Sequence, residues 1–377
     1  MSQAFNFTLP TEIIFGAGAL QNLGDILRGD GIKAVLLVTD PGVAQAGLAD
    51  AVSQGIEGSG IEVRVFQKVE PNPSVETVAL GAALFDGFPF QAVVALGGGS
   101  PMDTGKAIAI MATNPGDLTD YQGVDKFNND PLPIYAIPTT AGTGSEVTPF
   151  AVITNRSQKF KVPIGSQRIL PRKAILDPTL LTGLPASVAA ATGLDALTHA
   201  LEAYISLEAS LISDAFAEKA MQLIGGNLRL FVANRKNLHA AEAMLMASTL
   251  AGLAFAQARL GVVHAMAHPL GGFFDLPHGT ANAVLLPSVM QFNSLACPEK
   301  FRRISLLLGG DASASSVAEM LRQLNRDLGI PADLASLGVK DEAISDMAED
   351  AMKSINISVN PRQVTHGDLV ALYRQVL

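Results

Sequence analysis

Three short, almost wholly apolar runs constrain the N-terminal half more than any other feature: residues 33–40 (KAVLLVTD), 92–97 (AVVALG) and 133–138 (PIYAIP). A fourth run, residues 61–67 (IEVRVFQ), alternates at a period of two. Apolar strands separated by helical stretches must be covered on both faces, so they predict a parallel, Rossmann-like sheet. Residues 150–154 and 160–164 flank a polar turn at 155–158, which predicts a hairpin.

Beyond Pro185 the strand signals fade. Residues 186–206, 211–232, 240–258 and 315–327 are rich in Ala and Leu and read as helices. The expected organisation is an α/β domain at 1–183 and an all-α domain at 184–377.

Composition removes several classes. Charged residues make up 16% of the 377 residues, against about 25% in an average soluble chain. The 48% apolar content argues against disorder. A net charge of −9 and the lack of a basic run make nucleic acid a poor partner. Cys297 is the one cysteine, which excludes an intramolecular disulfide and a cysteine-built zinc site and fits a reducing compartment. The first ten residues lack the features of a signal peptide, and no uninterrupted apolar stretch approaches a membrane span. The expected setting is the cytoplasm, with no membrane partner.

Gly97, Gly98, Gly99 and Ser100 follow one of the apolar runs and lead into a good helix former. A loop of this kind admits phosphate close to backbone N–H groups at a positive helix end. Ser100 as N-cap, Pro101 in the first turn and Asp103 resemble a capping box. A tight turn without a ligand explains the loop equally well, because GGGS is not the GxGxxG fingerprint. Asp40 ends another run, where an acid accepts from a ribose 2′-OH and repels a 2′-phosphate, favouring NAD over NADP. Turn formation before Pro41 is the plainer explanation of the same residue. Thr139, Thr140 and Thr143 lie in PTTAGTGS, a hydroxyl- and glycine-rich loop suited to phosphate or ribose.

Asp195 and His199 are four residues apart in a convincing helix and share a face. His264, His268 and His278 fall within fifteen residues further on. A carboxylate with several imidazoles is a ligand set for Fe(II), Zn(II), Co(II) or Ni(II). Spacing leaves open which of the three downstream histidines bind. His264 and His268 suit one helix face, and His278 reads as a loop residue. A lone buried histidine is usually just a hydrogen-bonded core residue, but five such groups together favour a metal site.

Four segments together resemble the iron-containing (group III, metal-dependent) alcohol dehydrogenase family: GGGSPMDTGKAIA (97–109), IPTTAGTGSEVTPFAVIT (137–154), ATGLDALTHALEAYIS (191–206) and GVVHAMAHPLGGFFDLPHG (261–279). The similarity runs the whole length and is nearest the branch acting on propanediol, lactaldehyde and simple alcohols. It implies the dehydroquinate synthase-like fold, NAD as cofactor, and Fe(II) with Zn(II) as the alternative. It places metal ligands on Asp195, His199, His264 and His278, and an active-site non-ligand histidine on His268. Nucleotide contacts fall on Asp40, Asn72, Gly97 to Ser100, Thr139, Thr140, Thr143 and Lys161. Phe150 and Phe255 are expected to line the substrate cavity, and the protein to be a homodimer or larger homo-oligomer.

The implied activity is hydride transfer between NAD(H) and a small primary alcohol or aldehyde. His268 is expected either to relay a proton or to orient a neighbouring group. Phe150, Phe255, Leu260, Phe273 and Phe274 suggest an apolar pocket, and Arg259 is the single basic residue of the 254–280 stretch. The competing readings are a dehydroquinate synthase-like lyase, which needs a basic cluster around its substrate, a polyol-type, glycerol dehydrogenase-like member, and a non-catalytic binding protein.

Overall fold

Strand β4 (Ala92–Gly97) is buried along its whole length between two parallel neighbours, β2 (Ala34–Val38) and β6 (Ile134–Pro138). The structure is a computed structural model describing residues 5–157 and 160–377. Residues 1–4 of the stretch read for a signal peptide, and Gln158 of the expected hairpin turn, lie outside the described residues.

The main sheet has six strands in the order β1-β9-β6-β4-β2-β3, all parallel. Strands β1 (Glu12–Phe15) and β9 (Lys173–Leu176) are short additions that the apolar pattern does not announce. Strand β3 (Glu62–Phe66) is an edge, which explains its alternation: it is exposed except at Phe66 and, in part, Val63. A second sheet joins β5 (Gly123–Val124) to the hairpin of β7 (Phe150–Asn155) and β8 (Phe160–Gly165). Helices α1 (Leu23–Gly29), α2 (Pro41–Gln45), α3 (Leu48–Glu57), α4 (Val75–Ala82) and α5 (Gly99–Met111) complete this half. Its core includes Leu36, Val38, Val93, Ile108, Ile110, Ile153 and Ile164.

From Ala186 onward the regular elements are helical: α6 (Ala186–Ile205), α7 (Leu211–Ala233), α8 (Leu238–Ala258), α9 (Val262–Phe274), α10 (His278–Asn293), α11 (Pro298–Leu307), α12 (Val317–Asp327), α13 (Ile344–Met352) and α14 (His366–Gln375). Helix α6 packs against α7, α8 and α10, and α10 against α9. Buried Ala189, Ala190, Ala196, Ala200 and Ala203 present little bulk along α6, so its neighbours approach closely. Helix α8 is long and apolar enough to cross a membrane by length and composition, but 67% of its most apolar window is buried inside the protein. It packs against α6 and α7 as a core helix.

The chain divides into two compact units. One holds Leu9–Thr140 and Ser145–Gly183; the other holds Ala141–Gly144, Leu184–Leu377 and the described residues up to Thr8. A four-residue piece of the threonine loop thus belongs to the helical unit, which no local sequence signal announces.

The helix after the glycine loop begins earlier than its capping signals predict. Gly98 is the N-cap, in extended backbone, with no side-chain cap, and Ser100 lies inside the first turn. Asp103 forms no capping box. It is drawn instead into a buried polar cluster, accepting from Ser145 Oγ at 2.8 Å and Val152 N at 3.0 Å.

Candidate active site

Helix α6 carries Asp195, His199 and Glu202 at spacings of four and three, on one face. All three are buried. His264 sits in the first turn of α9, and His278 is the first residue of α10. The loop placement expected for His278 is therefore corrected. Pro277 already has a φ of −60° and serves as N-cap, so the helix starts at the histidine. Close packing fixes this start: a Cβ on Gly279 would lie 2.4 Å from Ala191 O, so only glycine lets this end of α10 reach α6.

These elements bring four ligand-type atoms together. Asp195 Oδ1 lies 3.8 Å from His199 Nε2, 3.9 Å from His264 Nε2 and 3.7 Å from His278 Nε2. Ligands about 2.0–2.2 Å from one tetrahedral ion sit roughly 3.4 Å apart. Asp195, His199 and His264 offer ligand atoms that all lie within 4.8 Å of one another, and His278 adds its Nε2 beside the same Asp195 oxygen.

The outer partners set the imidazole tautomers. His199 Nδ1 is 3.2 Å from the carbonyl of Gly142. A carbonyl accepts only, so Nδ1 carries the hydrogen and Nε2 keeps its lone pair. His264 Nδ1 lies 2.6 Å from Glu202 Oε2, and the carboxylate form of Glu202 has the same consequence. Burial first, then the neighbouring His199, push the His264 pKa down to about 3, against the pull of Asp195. The ring is neutral at working pH, as a ligand must be. Burial also raises Asp195, but His199, His278, His264 and the Asn282 amide together hold it below its ordinary value. Burial lifts Glu202 to about 7, opposed by backbone N–H groups of Gly261, Val263 and His264. Glu202 thus covers the N-terminus of α9, which has no side-chain cap of its own.

Sequence reasoning missed Glu202 and Asn282. Glu202 follows Asp195 by seven residues, two turns along the same face, and Asn282 follows His278 by four. Those spacings were the available signal. His268, one turn beyond His264, stacks on His278 with ring centroids 5.7 Å apart. The Phe255 ring lies 4.5 Å from that of His199. Phe150 begins β7 and is 38% exposed.

The nucleotide candidates gather in the α/β unit, apart from Thr143, which lies in the helical unit. Strand β2 has β3 on one side and β4 on the other, which makes the β2–β4 edge a topological switch point, where open α/β sheets bind ligands. Asp40 follows β2, and Gly97–Ser100 follow β4. Asp40 Oδ1 accepts from Val43 N at 2.9 Å, capping α2. Its Oδ2 faces the glycine loop, 3.2 Å from where a Cβ on Gly97 would stand. Capping therefore occupies one carboxylate oxygen and leaves the other beside the glycine loop. Thr139 N donates to Gly97 O at 3.0 Å, and Thr140 Oγ1 borders Gly98. The first-turn N–H groups of α5 have no carbonyl partner within the helix, which suits a pyrophosphate. Lys161 Nζ donates to Asn72 Oδ1 at 3.1 Å, joining two residues 89 positions apart.

The comparisons agree with this architecture. Residues 10–178 match the family "Iron-containing alcohol dehydrogenase", and residues 189–377 match "Fe-containing alcohol dehydrogenase family, C-terminal". A 1,3-propanediol dehydrogenase of Klebsiella pneumoniae is 46% identical, with 98% of each chain covered. An NAD-dependent methanol dehydrogenase of Bacillus methanolicus is 40% identical over 99% of this chain and 100% of its own. A crystal structure of 1,3-propanediol oxidoreductase matches with a TM-score of 0.96 at 46% identity, covering all of both chains. The fold and the donor set define a metal-type dehydrogenase architecture. The chain belongs to the iron-containing alcohol dehydrogenase family.

Proposed function

We propose that the protein is an NAD-dependent alcohol dehydrogenase that transfers a hydride between NAD(H) and a small primary alcohol or aldehyde. The observation that carries this reading is the convergence of Asp195 Oδ1 with three imidazole Nε2 atoms at 3.7–3.9 Å, in a chain of this family. The donor set suits a divalent ion, and Fe(II) is favoured over Zn(II) by the family. Asp195, His199, His264 and His278 would hold it. Bound there, the ion supplies Lewis-acid polarisation of an alcohol or aldehyde oxygen.

The protein's own groups do the rest. Glu202 and the Gly142 carbonyl hold His264 and His199 with Nε2 turned inward. Asp40, beside the glycine loop, accepts from a ribose hydroxyl and repels a 2′-phosphate. Gly97–Ser100 and the start of α5 receive the pyrophosphate, with Thr139, Thr140, Asn72 and Lys161 as further contacts in the same unit. His268 carries the exchanged proton on a ring nitrogen. Phe255, whose ring lies beside that of His199, supplies apolar surface next to the candidate ligands.

A lyase acting on an anionic substrate is disfavoured, because Arg259 Nε is already 3.2 Å from Glu208 Oε2. A cytoplasmic homodimer or larger homo-oligomer fits the single cysteine and the low charge content.

The test is NADH absorbance with anaerobic, Fe(II)-reconstituted protein and a panel of ethanol, butanol, 1,2- and 1,3-propanediol and their aldehydes. Turnover that disappears in Asp195→Ala supports the reading. A protein that binds NAD and metal but turns over none of the panel overturns the substrate class.

A further inference from the structure

Asn282 is fully buried on α10, one turn beyond His278. Its Nδ2 lies 2.7 Å from Asp195 Oδ1, 3.1 Å from His278 Nε2 and 3.2 Å from His264 Nε2. The amide thus covers one face of the ligand cluster. Its Oδ1 is buried with no hydrogen-bond partner. The arrangement is lopsided: two N–H donors face three acceptors, and the carbonyl accepts no hydrogen bond.

The two ends of a carboxamide are nearly the same size, and a half-turn about χ2 exchanges them. A cation held by Asp195 and the histidines reverses their preference. The positive end of the amide dipole is then repelled, and the oxygen is attracted. The half-turn gives up the N–H bond to Asp195 Oδ1 and leaves the N–H end without a partner, and in exchange a repulsive contact with the ion becomes an attractive one.

We propose that Asn282 presents its side-chain oxygen to the metal and thereby biases the site toward Fe(II) over Zn(II). The inference rests on the metal reading of the preceding section. Three imidazoles and one carboxylate already satisfy four-coordinate zinc. A neutral oxygen beside them raises the donor count and hardens the set, which suits Fe(II) better.

The experiment is anaerobic chelator competition with Fe(II) and with Zn(II), on wild type, Asn282→Leu and Asn282→Asp. The leucine variant keeps the branching at Cγ and removes the oxygen; the aspartate variant keeps an oxygen. The visible spectrum of the Co(II)-loaded proteins reports coordination number independently of turnover. Asn282→Leu is expected to lose roughly tenfold or more in Fe(II) affinity, with a smaller loss for Zn(II). Its Co(II) bands should strengthen toward a four-coordinate pattern, and Asn282→Asp should recover Fe(II) binding. Equal losses for both metals, no loss, or an unchanged Co(II) spectrum overturns the proposal. If the leucine variant does not fold, Asn282→Ala takes its place with the same criteria. Wild type that binds neither metal, and so matches Asp195→Ala, overturns the metal reading itself; normal wild-type binding with an unchanged variant overturns Asn282's part alone.

Discussion

Glu202 Oε2 lies 2.6 Å from His264 Nδ1, and the other oxygen of the same carboxylate accepts from Val263 N at 2.6 Å. One side chain on α6 therefore fixes both the tautomer of a candidate ligand and the start of the helix that carries it. Asp195, seven residues earlier on α6, faces the same imidazole from its Nε2 side.

Replacing Glu202 by Gln should weaken metal binding by about 10–100-fold, the usual cost of losing a group that orients a ligand. The amide can turn its NH2 toward Nδ1, which drives the hydrogen to Nε2 and removes the inward lone pair. Chelator competition measures this, and wild-type affinity in the variant would show that Glu202 does not set the tautomer.

Gly279→Ala places a Cβ 2.4 Å from Ala191 O, a contact with backbone that cannot yield easily. Relief requires the N-terminus of α10 to move away from α6, carrying His278 with it. A destabilisation of about 1–3 kcal/mol is expected, together with weaker metal retention. Thermal melts and metal content after dialysis check both effects. An unchanged melting temperature would mean that α10 does not need this approach.

Asp40→Ser separates the two roles of that carboxylate. Serine preserves a side-chain acceptor for Val43 N, so stability should change by only a few tenths of a kcal/mol. The charge beside the glycine loop disappears, and discrimination against NADP should fall by about tenfold or more. The ratio of kcat/KM for NAD and NADP is the readout. A constant ratio would confine Asp40 to capping.

Lys106 is buried in the α/β unit, where its Nζ donates to Ser145 O at 2.7 Å, Phe150 O at 2.8 Å and Thr148 O at 2.9 Å. Burial lowers its pKa to about 8, with Asp103 and Glu146 opposing. Between pH 8 and the ordinary lysine value of 10.5 the unfolded chain binds more protons than the folded one. Stability from this group therefore rises with pH across that window. Lys106→Met should remove that rise. It should also cost about 3–5 kcal/mol overall, because buried acceptors and Asp103 lose their partner. Denaturant unfolding at pH 7, 8, 9 and 10 tests both, and an unaltered pH slope would refute the buried-lysine account.

Much of the architecture was legible locally. The apolar runs at 92–97 and 133–138 could be stable only inside a covered parallel sheet, and they became β4 and β6. The alanine-rich tracts favoured helix by composition, and they became α6, α7, α8 and α12. Asp195 and His199 share a face because 3.6 residues make a turn, whatever surrounds them. Strands β1 and β9 were illegible because they are four residues long and each is defined by its partner.

The meeting of α6 with α9 and α10 depends on contacts between residues far apart in the chain. Tertiary packing delivers the Gly142 carbonyl to His199 and Glu202 to His264, and it turned Asp103 away from its expected cap toward Ser145 and Val152. A sequence lists donors and acceptors, and neighbouring ones can be paired by helical or strand periodicity. For groups separated by about sixty to ninety residues, such as Glu202 with His264 or Asn282 with Asp195, only close packing decides which desolvated polar atoms must satisfy one another.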